Sequence, residues 1–125
     1  MKAFTHDWLA KAKADLGTAE REYLAVPPNY DAVAFHCQQS AEKYLKAYLV
    51  EADVGFPKTH DLPALLDLIC PIQPNWLLLR SDLNSLTSLG IEVRYPGMTA
   101  DHEDAGEALR IARDVQALVA GALKS

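Results

Sequence analysis

The chain has 125 residues, a formal net charge of −5, and two cysteines. That length fits one domain able to bury roughly two-thirds of its unfolded surface around one core. The acidic balance argues against a broadly basic nucleic-acid platform and leaves room only for a local phosphate or nucleotide site. No apolar run approaches the roughly 20 residues of a membrane span. MKAFTHDW at the start lacks the apolar segment of a signal peptide. A cytoplasmic protein is expected, with Cys37 and Cys70 as reduced thiols at apolar helical positions.

The first helix is predicted from about Thr5 to Ala25, with Thr5 or Asp7 as cap and Trp8, Ala12, Leu16, Ala19 and Tyr23 as its apolar stripe. Val26-Pro27-Pro28-Asn29 stops it, because two prolines cannot donate helical hydrogen bonds. The second helix is predicted from about Asp31 to Ala52. Ala34, Cys37, Ala41, Tyr44, Leu45, Tyr48 and Ala52 share one side, and His36, Gln39 and Lys43 share the other. Gln38 falls within the apolar arc, where an unpartnered amide costs on the order of 1–3 kcal/mol.

Gly55-Phe56-Pro57 ends that helix. A third starts near Thr59 to Asp61 and tolerates Pro63 in its first turn. A fourth covers about Asn75 to Ser88. Leu89 to Gly97 reads as irregular, and Thr99 is the expected cap of a fifth helix ending near Leu123. The fifth helix carries apolar residues over nearly half its circumference, with Ile111, Val115 and Leu118 beside the main stripe. An arc that wide implies either a central position or a second subunit, and a homodimer is predicted from it. No segment reads as a strand. The fold class is all-α: a compact up-and-down bundle of four to five helices in a single domain, residues 1–125.

Three constellations carry chemistry. His36, Gln39 and Lys43 place an imidazole, an amide and an ammonium on adjacent turns, fit for a phosphate or base or simply a solvated face. Lys58 and His60 precede a helix whose free N–H groups favour an anion, although Asp61 as cap would fill that same place. Arg94 and Tyr95 sit in a short loop, with His102 in the first turn of the last helix. Arginine forks onto phosphate oxygens and tyrosine stacks or donates, whereas a bland reading pairs Arg94 with Asp101, Glu103 or Asp104. An anion site of Lys58, His60, Arg94 and Tyr95, with the His36–Lys43 stripe nearby, requires the Arg94 loop to fold back towards the third helix. There is no Gly-rich phosphate loop, no Cys-x-x-Cys and no His-Glu-x-x-His, so neither a metal nor a cofactor is expected.

FHCQQSAEKYLKAYL, then PKTHDLPALL, then RYPG ahead of a terminal Ala-rich helix, resembles the HEPN domain (higher eukaryotes and prokaryotes nucleotide-binding). Trp8, Ala12, Asp15 and Leu16 extend the likeness to the first helix. The resemblance implies frequent homodimers, a nucleotide or RNA ligand, and pairing with a separately encoded, minimal nucleotidyltransferase-type protein, as in toxin–antitoxin pairs. It also implies a second reading, since some members are metal-independent ribonuclease toxins. Their motif is an arginine, four to six residues, then a histidine. Here Arg94 and His102 are the only candidates and are separated by the seven residues YPGMTAD. A nucleotide- or RNA-binding module is therefore preferred to a nuclease. A purely structural interaction protein is the third alternative.

Overall fold

The computed structural model describes residues 1–124 and is helical throughout its regular structure. Five α-helices follow one another: α1 (Ala3–Leu24), α2 (Tyr30–Glu51), α3 (Leu62–Ile69), α4 (Arg80–Glu92) and α5 (His102–Leu123). A 3-10 segment, Pro74–Leu79, leads directly into α4. The expected all-α bundle is what forms.

The caps differ from the sequence reading in instructive ways. Thr5 lies inside α1, fully buried, and its hydroxyl donates to Glu51 Oε1 at 2.9 Å. It therefore ties the start of α1 to the end of α2 instead of capping α1. Asn29, one residue beyond the prolines, caps α2 by accepting from the Ala32 N–H at 3.0 Å. Asp53 then takes a left-handed φ of 59° that short polar side chains tolerate, and the chain leaves α2. Asp101, not Thr99, caps α5: Asp101 and Asp104 each accept the other's backbone N–H in a reciprocal capping box.

Helix α2 is the hub, packing against α1, α3, α4 and α5. The core consists of Leu45 and Leu49 on α2, Leu62, Leu65 and Leu66 on α3, Leu83 and Leu86 on α4, and Val115 and Val119 on α5. Each buried leucine contributes about 1.5–3 kcal/mol relative to leaving it in water. Helix α5 lies across α2, α1 and α4. That placement corrects the reasoning from its broad apolar arc. Ile111 and Val115 are buried within the same chain, and Leu118 alone of the three is exposed. The arc is used by three neighbours in one bundle, so it requires no second subunit.

Gly90 sets the approach of α4 to α2. A Cβ there would fall 2.9 Å from both Cβ and Cγ of Gln38. Only the missing side chain lets the two backbones lie this close.

Candidate functional site

Phe35, Gln39, Glu42 and Lys46 recur at spacings of four, three and four, and so form one strip along α2. One wall beside this strip is α1. The other is made by the α2–α3 connector and the turn after α4. Polar and aromatic groups from both walls meet over the strip.

At its centre lies Glu42, a buried carboxylate inside the helix. Lys46, one turn on, donates to Glu42 Oε2 at 2.9 Å, and His60 Nδ1 lies 2.8 Å from Oε1. Gln38 donates to the His60 carbonyl at 2.9 Å. The amide that looked misplaced in the apolar arc thus fixes the connector to α2. The Lys46 ammonium lies 5.5 Å from the Trp8 ring centroid and 5.7 Å from that of Phe56, and the two rings meet edge to face. Burial of a charged pair becomes tolerable when hydrogen bonds and ring faces replace water in this way.

Towards α1, Asp15 gathers two of the predicted residues. Its carboxylate lies 3.1 Å from His36 Nδ1 and 2.5 Å from Lys43 Nζ. Gln39 sits between them in sequence, and its Oε1 is buried without a hydrogen-bond partner. His36 and Lys43 therefore meet at one carboxylate that already draws on both basic groups, and Gln39 does not join them there.

Arg94 packs over Phe35, with the guanidinium carbon 5.2 Å from the ring centroid, and Phe35 meets the His36 ring edge to face. Among the described residues no carboxylate pairs with Arg94, whereas Arg80, Arg110 and Arg113 all have acidic partners. The bland pairing with Asp101, Glu103 or Asp104 does not form. Helix α4 lies against α2 and the start of α3, with Gly90 on Gln38 and the Leu62 N–H donating to Thr87 Oγ1 at 3.2 Å, and the turn after it sets Arg94 on Phe35. Arg94 and His60 then stand over Phe35 and Glu42, seven residues apart on one face of α2. Two helical turns separate them, about 10 Å along the axis.

Lys58 is exposed, with no hydrogen bond or ion pair among the described residues, and Tyr95 is exposed beside Arg94. The N-terminus of α3 is taken by Asp61, which accepts from the Ala64 N–H at 3.3 Å. An anion would have to meet Lys58, His60 and Arg94 on the surface, not at the end of the helix.

His102 lies in a different setting. Its Nε2 is 3.1 Å from the Tyr23 hydroxyl and its Nδ1 is 2.9 Å from the Tyr30 hydroxyl. The ring stacks on Tyr23 with centroids 5.1 Å apart. Both nitrogens are engaged, and no hydrogen bond, ring contact or ion pair joins His102 to Arg94 among the described residues. The imidazole clamps the start of α5 to α1 and α2. The carboxylates next to it in sequence are not its partners. A recess of about 560 Å³ opens nearby, but Glu22 and Asp31 line it and would repel phosphate.

Spacing alone did not reveal Glu42, Lys46, Asp15 or Phe35 as members of this site. A signal existed: Gln38, Glu42 and Lys46 repeat every four residues along a helix otherwise rich in buried positions. The buried thiol of Cys37 is pushed up to about 12 by desolvation, which makes it a core group and not a reactive one. Among the described residues no cluster of three or more His, Cys, Asp or Glu is placed to hold a metal. No helix there is long and apolar enough to cross a membrane.

This is a helical bundle whose second helix carries a strip of Phe35, Gln39, Glu42 and Lys46, over which Arg94 and His60 lie. The HEPN domain model matches residues 5–122, nearly the whole chain, and the chain belongs to that family. A solved structure, TT1696 from Thermus thermophilus, shares the fold with a TM-score of 0.78 at 22% identity. The match covers 95% of this chain and 98% of that one. None of the curated proteins compared matches the chain.

Proposed function

We propose that the strip along α2 binds single-stranded RNA, phosphates meeting Arg94 and Lys58 and bases meeting the aromatic groups. The observation that carries this reading is Arg94: an exposed guanidinium lying over the Phe35 ring, with no acidic partner among the described residues. The ring beneath it steadies the guanidinium and leaves N–H groups free for a phosphate oxygen. The open surface suits an extended strand better than an enclosed mononucleotide.

Catalysis is no part of this proposal. Arg94 rests on Phe35, while His102 is held by two tyrosines, which supports a binding role over cleavage by that pair. Family membership, and not the apolar arc of α5, supports a homodimer and a separately encoded nucleotidyltransferase-type partner.

Fluorescence anisotropy with a short labelled oligoribonucleotide tests the reading. Arg94→Ala should weaken binding about tenfold and reduce the salt slope by about 0.7, the share of one single-strand phosphate. Unchanged affinity and slope would remove Arg94 from the site and the strip from the function.

A further inference from the structure

His60 combines an open ring with a buried anchor. Its side chain is 64% exposed, while that of Glu42 beneath it is 5% exposed. Glu42 Oε2 receives the Lys46 ammonium, and Oε1 faces His60 Nδ1 at 2.8 Å with the Gln38 amide 3.4 Å away. A carboxylate accepts and does not donate, so the proton of the Nδ1···Oε1 bond belongs to the imidazole. In the neutral ring that choice leaves Nε2 as a lone pair. The bond from Nδ1 to the buried Glu42 carboxylate holds the ring, and the backbone of the same residue is anchored by Gln38. The result is a surface acceptor of fixed tautomer and fixed direction, two helical turns from Arg94.

The other histidine with a carboxylate on Nδ1, His36, is only 30% exposed and packs against Phe35. The ring of His102 has no free nitrogen. His60 is therefore the histidine best placed to accept a hydrogen bond from a ligand lying on the strip. Phosphate offers no donor at neutral pH, and base edges differ from one nucleotide to the next. The ribose 2′-hydroxyl is the donor present at every step of RNA and absent from DNA.

We propose that His60 Nε2, oriented by Glu42, accepts a hydrogen bond from a ribose 2′-hydroxyl, making the strip selective for RNA over DNA of the same sequence. The inference rests on the RNA-binding reading of the strip. Lys58 and Arg94 supply contacts that both nucleic acids satisfy equally, and His60 supplies the discrimination.

The test compares three probes of one sequence at pH 8: an oligoribonucleotide, its 2′-O-methyl analogue, and the oligodeoxyribonucleotide. The wild-type protein should bind the ribose form about five- to tenfold more tightly than the other two, the worth of one hydrogen bond. In His60→Phe the three affinities should converge, with DNA binding retained. Lys58→Ala should weaken all three alike and keep the ratio. A 2′-O-methyl probe bound as tightly as RNA, equal wild-type binding of RNA and DNA, or a ratio surviving in His60→Phe would each overturn the role of His60. Failure of the wild-type protein to bind any of the probes would instead sink the RNA-binding reading, and this inference with it.

Discussion

Gly90→Ala puts a number on the close approach of α4 to α2. The added methyl would meet Cβ and Cγ of Gln38 at 2.9 Å. Cβ is the root of that side chain and cannot rotate away, so α4 must back off from α2. Overpacking costs about 1–3 kcal/mol, and with a fixed atom in the way the upper part of that range, about 2–3 kcal/mol, applies. Alanine recovers about 1 kcal/mol of helix propensity, leaving a net loss of about 1–2 kcal/mol. Unfolding entropy near 2.1 cal/mol/K per residue makes each kcal/mol worth about 4 °C in a chain of this length. The midpoint should therefore fall by about 4–8 °C in calorimetry at pH 7. Gly121 in α5 has nothing within 4 Å of its missing Cβ. Gly121→Ala should raise the midpoint by about 2–4 °C, since there only the backbone entropy changes. A Gly90→Ala protein that melts at or above the wild type would show that the α2–α4 seam has slack, and the argument from close approach would fail.

Three further outcomes are expected. Lys46→Met strands the buried Glu42 carboxylate and should cost about 3 kcal/mol in urea unfolding, with Glu42→Leu/Lys46→Leu less destabilised than the single variant; equal losses in both would count against a true buried pair. Cys37 is held protonated to about pH 12 by burial, while an unfolded thiol ionises near its ordinary value, about 8.5. Stability should fall as pH rises between those values, by up to about 1.4 kcal/mol per pH unit. Buried Tyr44 is also shifted upward and adds in the same direction. Cys37→Ala should show a shallower alkaline slope, and an unaltered slope would refute the assignment. His102→Ala removes two exposed hydrogen bonds and should lower the midpoint by about 4–8 °C with RNA affinity unchanged; lost RNA binding would place His102 back in the site.

The helices were legible because apolar spacing and the proline pairs speak locally. Asn29 and Asp101 were less so, since every Asx, Ser or Thr near a boundary competes for the cap and only backbone angles decide. The need of Gln38 for a partner could be read from its position in the apolar arc. The partner itself, the His60 carbonyl, is fixed by how α4 and the connector pack, which no local pattern encodes. Asp15 stood in a quoted motif without its role, because its partners lie 21 and 28 residues away on the next helix. The α5 arc was read correctly as wide. Of the two explanations for that width, the central position accounts for Ile111 and Val115, because one helix can serve three neighbours in its own chain.

The strip lies on the helix against which four others are packed. Amide protons along α2 should consequently exchange only when the whole molecule opens, and a strand settling there has no floor to organise. Its freedom to adjust lies in the walls, in the connector from Asp53 to Asp61 and the turn from Val93 to Asp101. Bound RNA should slow hydrogen exchange in those two segments and leave α2 as it was. Ligands that differ in sequence would then differ in how they draw the walls inward, over a floor that stays the same.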